Sequence, residues 1–242
     1  IQVLPPDVNE SDVRFTVVNG KIRFGMAAVK NVGESAVREL ICEREQKGLF
    51  KSFGDFCERV AEKDINKRCV ESLIKCGAFD SFGVFRSRLM AVYERLLDGV
   101  QQSRKNKVEG QLSLFEIPGQ GQSMKAEDSF PELNEFPPKM LLAMEKEMLG
   151  LYVSGHPLKE FEAEILEQAT MNSLDLGEGA SDEPGVSSDG AGAGGKNLTD
   201  GMLVTVGGII AGKKTKTTKS NNLMAFVALE DLYGTMEIIV FP

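Results

Sequence analysis

The sequence predicts a multi-domain, mixed fold, mainly α-helical through its first two thirds and followed by a partial antiparallel β barrel. Three observations predict it. Apolar residues recur at helical spacing up to about residue 168, as in Leu89, Val92, Tyr93, Leu96 and Leu97, which fall on one face of a helix. From Met202 onward the apolar and turn residues follow the spacing of short strands. Two polar stretches, 101–137 and 177–196, separate these regions and read as linkers, the second low in complexity and expected to be disordered.

In chain order, residues 1–24 read as an extended lead-in and a hairpin. Pro5-Pro6 blocks helix, and Asn19-Gly20 is a two-residue turn signal between Arg14–Val18 and Lys21–Phe24. Residues 26–47 read as helix, turn, helix. Met26, Ala27 and Val29 make a short apolar face, Asn31-Val32-Gly33 interrupts it, and Val37, Leu40 and Ile41 line a second helix that Gly48 stops. Ser52, with Asp55 three residues on, caps a helix that buries Phe53 and Phe56. Asn66 to Lys75 is a helix, Lys75-Cys76-Gly77-Ala78 a turn, and Arg86 to Val100 a longer helix. Beyond the first linker a helix runs from Pro138 through Leu151 until Gly155 and Pro157 end it, and another follows from Leu158 to about Gln168. Leu203 to Ala211 is expected to be a strand with a bulge at Gly207-Gly208, Lys213 to Asn222 a basic turn, and Leu223–Leu229 and Thr235–Phe241 two further strands.

With 42% hydrophobic and 26% charged residues, most of the chain can form globular structure. No apolar run approaches the roughly 18–20 residues of a membrane helix, so no membrane partner is expected. The chain opens Ile1-Gln2-Val3-Leu4 without a basic, signal-like leader and is expected to be a segment of a longer, cytoplasmic protein. Cys42, Cys57, Cys69 and Cys76 form no CxxC pair, so buried or half-buried thiols of a reducing compartment are expected rather than a zinc site. The formal net charge of −8 conceals a segregation: residues 109–196 hold 17 acidic against 5 basic residues, whereas residues 1–108 hold 19 basic against 15 acidic. The acidity lies in the middle, and both flanks can still meet phosphates.

Three segments carry recognisable binding chemistry. The units at 26–41 and 70–97 fit a tandem helix-hairpin-helix, in which a tight turn aims backbone N–H groups and a helix N-terminus at a DNA phosphate without reading bases. The candidate phosphate contacts are Asn31, Val32, Gly33 and Glu34 in the first turn, and Lys75 and Gly77 in the second. Asn31 stands where a first glycine is usual, and asparagine tolerates positive φ better than Lys75 does; an ordinary pair of helices is the structural alternative. Gln111-Leu112-Ser113-Leu114-Phe115 is an apolar island in a polar linker. It either packs back on its own domain or docks as an extended peptide in a partner's apolar pocket. Lys213, Lys214, Lys216 and Lys219 fall in the predicted basic turn, either a solvated hairpin tip or the loop an OB-fold offers to single-stranded nucleic acid.

Catalysis is not expected within the chain. Asp-x-Asp is absent, and within Glu145/Glu147 and Glu160/Glu162/Glu164 successive carboxylates lie two apart on helices, a spacing that points them to different faces. There is no P-loop and no GxSxG, and His156 reads as a turn residue. No catalytic residue, metal ligand or cofactor is therefore assigned.

The stretches Val3–Asn9, Ile22–Met26, Val29–Gly33, Gly48–Phe50, Asp55–Cys57, Leu73–Asp80, Glu145–Leu158, Gly207–Ile210 and Glu230–Pro242 resemble the alpha subunit of bacterial DNA polymerase III, a replicative DNA-directed DNA polymerase. The resemblance implies that residues 1–24 end a fingers domain and that 25–104 are the tandem hairpins gripping duplex DNA. Residues 105–137 would be a linker whose Gln111–Phe115 peptide binds the sliding clamp, 138–176 a helical connector, 177–196 a disordered linker and 197–242 the start of an OB domain for the single-stranded template. It implies DNA, the clamp and other replicase subunits as partners, and a catalytic palm with Mg²⁺ elsewhere in the parent protein. The role implied is non-catalytic tethering that supports processive DNA replication; the alternative is a stand-alone hairpin and OB adaptor without polymerase activity.

Overall fold

The computed structural model describes residues 2–60, 63, 65–108, 130–177 and 199–242. The chain divides into two units, residues 1–155 and 156–242.

In the first unit, β1 (Val3–Leu4), β2 (Thr16–Val18) and β3 (Lys21–Arg23) form a small sheet in the order β1-β3-β2. Asn19 and Gly20 close the β2–β3 hairpin with φ of 51° and 74°, which matches the twist of the paired strands. Met26–Ala28 is a single 3-10 turn, not the α-helix expected from residue 26. Its N–H groups are committed elsewhere: Met26 donates to the Asp12 carbonyl and Ala27 to that of Val13. Four helices follow among the described residues: α1 (Glu34–Lys47), α2 (Phe53–Val60), α3 (Lys67–Lys75) and α4 (Arg86–Val108). Their ends obey the local signals. Gly48 stops α1 with φ 83°; Ser52 Oγ accepts from Asp55 N at 3.2 Å; Asn66 Oδ1 accepts from Cys69 N at 2.8 Å.

The core of this unit is aromatic at its centre. Phe53, Phe56 and Phe79 are buried, with ring centroids 4.8–6.2 Å apart. Burying each such ring contributes roughly 1.5–3 kcal/mol. Val8, Val13 and Phe24 pack into the same cluster as Leu40, Leu73 and Leu89, so residues 1–24 share one core with the helices.

A buried ionic knot joins the turn after α3 to α4 and to α5 (Pro138–Leu149). Arg86 donates to both Asp80 oxygens at 2.6–3.2 Å, to the Lys75 carbonyl at 3.1 Å and to Glu145 Oε1 at 3.1 Å. The other Glu145 oxygen accepts from Ser154 N at 3.1 Å and from Ser154 Oγ at 3.0 Å. This explains why α5 ends at Gly150, φ 78°, earlier than Gly155: the backbone beyond it turns back onto Glu145. Residues 130–137, assigned by sequence to the linker, also belong to this unit. Glu135 accepts from Arg86 N at 2.8 Å and Ser87 N at 3.1 Å, capping α4 from far along the chain.

In the second unit, α6 (Glu162–Gln168) and α7 (Ser173–Gly177) precede an antiparallel meander of β4 (Ile209–Thr217), β5 (Leu223–Glu230) and β6 (Thr235–Val240). The sheet is the OB-like part of the mixed fold that the strand periodicity predicts. Residues 203–208 are not strand; the register shift falls between Ile210 and Gly212, further along than expected. Thr205 instead bonds Thr170, its N–H donating to Oγ1 at 2.8 Å. Asp231 closes the β5–β6 turn, accepting from Tyr233 N and Gly234 N at 2.8 Å and from Ser173 Oγ at 2.7 Å. Burial pushes its carboxyl up, but the bonds from Ser173, Tyr233 and Gly234 outweigh that and hold it below the usual carboxylate range.

Two substitutions test the ionic knot. Glu145→Ala leaves Arg86 short of a buried partner and should destabilise the first unit by roughly 3–5 kcal/mol in denaturant titration. Gly77→Ala should lose at least about 1–2 kcal/mol, because Gly77 has φ 83° and a Cβ there would collide with the Arg86 guanidinium and the Asp80 carboxylate.

Candidate nucleic-acid interface

The two predicted hairpin turns have opposite surroundings. In the first, Asn31 adopts φ 64°, the left-handed geometry that a glycine would otherwise supply. Val32 turns inward and is buried, whereas Asn31, Gly33, Glu34 and Ser35 are exposed. The turn is held from behind: Asn31 Nδ2 donates to Ser72 Oγ at 3.1 Å and Lys30 N to the Met148 carbonyl at 2.9 Å. Gly33 is the N-cap of α1 and no side chain caps that helix, so the positive end of a 14-residue helix dipole opens onto the surface. The Lys30 side chain is exposed beside it. Glu34 opposes an anion there, and its carboxylate pairs with Arg38 at 2.5 Å.

In the second turn Gly77 is buried. Gly77 N donates to the Ile74 carbonyl at 3.0 Å and Ala78 N to that of Leu73 at 2.9 Å, a helix-ending motif that uses up the turn's donors. Lys75 pairs with Glu71 at 2.7 Å, and its carbonyl accepts from Arg86. Asn31, Val32, Gly33 and Glu34 are thus brought together at an open helix end, while Lys75 and Gly77 sit in an internally satisfied joint.

The lysines expected in a basic turn are mostly on a strand. Lys213, Lys214 and Lys216 lie within β4 and only Lys219 is in the turn. The β-branched Thr215 and Thr217 extend the pairing to Thr217↔Leu223, and the reversal is confined to 218–222, where Asn221 takes φ 62°. Gln111, Leu112, Ser113, Leu114 and Phe115 lie outside the described residues, as does most of the predicted low-complexity linker. His156 Nδ1 accepts from Leu158 N at 3.2 Å, the geometry of a turn residue.

Among the described residues no three Asp, Glu, His or Cys side chains converge on one point. The two buried glutamates are matched to cations, Glu145 to Arg86 at 3.1 Å and Glu43 to Lys47 at 2.8 Å and Arg59 at 3.2 Å. No described helix is long and apolar enough to cross a membrane.

Residues 1–89 match the family described as helix-hairpin-helix motif. All 242 residues align with DNA polymerase III subunit alpha of Thermus aquaticus at 41% identity, and the whole chain aligns with those of Mycobacterium leprae and Deinococcus radiodurans at 38% and 37%. The whole chain is homologous to one segment of DNA polymerase III alpha subunits. It spans 17–19% of the length of these alpha subunits. The helix-hairpin-helix match takes in residues 1–24, in line with the single core they share with α1–α3.

The thiols provide a check on this arrangement. Burial pushes Cys57 and Cys76 up to about 12 and Cys69 to about 11, while Cys42 is exposed. The thiolate is the reactive form, so at pH 8 a thiol reagent should label the folded chain once, at Cys42. All 4 cysteines should react after denaturation, as mass spectrometry would read.

Proposed function

We propose that this chain is the DNA-gripping and clamp-tethering part of a replicative DNA-directed DNA polymerase, and that the first hairpin turn is its duplex-phosphate contact. The observation that carries the proposal is the exposed, uncapped N-terminus of α1 behind Asn31 and Gly33. Backbone N–H groups at such an end bind a phosphate whatever the base sequence, which suits an enzyme that must move along any template. The polymerase chemistry, with Mg²⁺ and nucleotides, would reside in other segments of the parent protein. The peptide Gln111–Phe115 would dock in an apolar pocket of the sliding clamp, and the lysine-bearing sheet of the second unit would face single-stranded template. Several weak contacts on one chain raise the effective concentration of each, a mechanism for processive synthesis in the cytoplasm alongside other replicase subunits.

Two measurements test this. In salt-dependent duplex binding, Lys30→Glu should weaken affinity and lower the slope of log K against log salt by about one. Glu34→Gln should strengthen affinity severalfold; equal affinities for both variants and the parent chain would remove the first turn from the interface. In a pull-down or titration with a bacterial sliding clamp, the chain should bind, and a Leu114→Ala/Phe115→Ala variant should lose binding at least tenfold. Equal binding of both would return the island to ordinary linker.

A further inference from the structure

Asn31 holds φ 64° in the first turn, a region that asparagine reaches but does not prefer. Its neighbours are fixed by the backbone: Lys30 N donates to the Met148 carbonyl at 2.9 Å and Val32 N to that of Val29 at 3.1 Å. Val32 is also buried, which anchors the inner side of the turn. Asn31 is exposed and is held by its side chain instead: Nδ2 donates at 3.1 Å to Oγ of Ser72, 41 residues further along. Ser72 is 2% exposed and stands among the buried Cys69, Val70, Leu73 and Ile74 of α3. A hydroxyl in such surroundings costs more than an apolar side chain unless it is bonded, and this one meets the turn that opens onto solvent. Its own position is fixed in turn. The Ser72 carbonyl accepts from Cys76 N at 3.0 Å, and three residues on the Lys75 carbonyl accepts from Arg86 at 3.1 Å.

We infer that Ser72 is a positioning residue for duplex binding: it holds Asn31 in the left-handed region and so aims the first N–H groups of α1 at a backbone phosphate. The inference rests on the reading of the first turn as the duplex-phosphate contact, and it adds a residue that touches no DNA. A peptide N–H binds an anion well only when its direction is set before the anion arrives. The course of the chain from Asn31 into α1 follows from the dihedral angles of Asn31. At negative φ the residues that follow would leave the turn in another direction, and the N–H groups at the start of α1 would lose their common aim. The helix α3, whose own turn is closed, thus serves the duplex through one side-chain bond. A bond that served only to satisfy the buried hydroxyl would register in stability and not in affinity.

The experiment is a double-mutant cycle on the full 242-residue chain, with Ser72→Ala, Asn31→Gly and the two combined, each checked by its melting curve. The probe is a short blunt duplex titrated over a range of salt. Ser72→Ala should weaken duplex affinity about fivefold, the worth of one hydrogen bond. It should leave the slope of log K against log salt unchanged, because no cation leaves a phosphate. Glycine takes positive φ without a tether, so adding Ser72→Ala to the Asn31→Gly chain should cost nothing further. Equal losses in the two backgrounds show that Ser72 acts through the packing of α3 and refute positioning. Loss of all binding by Asn31→Gly assigns the Asn31 side chain a DNA contact of its own and also refutes it. Parent-like affinity of Ser72→Ala refutes it as well; if Lys30→Glu still weakens the duplex, the first turn stays in the interface and only the positioning role falls. Failure of the parent chain to bind the duplex overturns both readings.

Discussion

The first unit depends on one buried cation. Arg86 sits where the end of α3, the start of α4 and the middle of α5 meet, and its guanidinium is almost wholly withdrawn from water. A charge so placed is tolerable only if its donors are met by carboxylates and carbonyls, and Asp80, Glu145 and the Lys75 carbonyl meet them. Satisfying Arg86 then dictates much else. Gly77 must lack a side chain, Ser154 must return to Glu145, and the helix α5 must stop at Gly150 so that it can.

The same knot sets the second turn apart from the first. The second is closed by its own backbone bonds and locked by Arg86, so it is a joint. The first is anchored from behind by Ser72 and Met148, which fixes its geometry while leaving its outer side open. Rigidity behind and vacancy in front is what a backbone phosphate site requires, since the donors must be aimed before the anion arrives. The two turns thus differ in structure: the second is closed by its own backbone bonds, and the first leaves Asn31, Gly33 and Glu34 exposed.

In the second unit the decisive constraint is the strand period. A run of lysines in a loop would act as one cloud of charge. On a strand, alternation sends Lys214 and Lys216 to one face with Phe226 and Lys213 to the other. Asp231 performs the complementary service at the far end of the sheet, where its four accepted bonds tie the β5–β6 turn to Ser173.

Much of this was legible from local chemistry. Asn19-Gly20 specifies its hairpin, Asn66 and Ser52 their helix starts, Gly48 and Gly77 their stops, and the apolar spacing of α3 and α4 their buried faces, because each depends on residues within a turn or two. The left-handed Asn31 was legible for the same reason, and so were the residues of the candidate first turn. What the tertiary structure alone decided involves partners far apart in the chain. Nothing near Arg86 announces that Glu145 and Glu135 will bind its side chain and its N–H, nor anything near Met26 that Asp12 and Val13 will take its turn's donors. Likewise, only the pairing of β4 with β5 assigns the lysines to faces. The sequence by itself determined the helices α1 to α4 and the turns that bound them, because those depend on neighbouring residues; long-range hydrogen bonding and burial decided the 3-10 turn at Met26–Ala28, the irregular run 203–208, the strand at Lys213–Thr217 and which turn stays open.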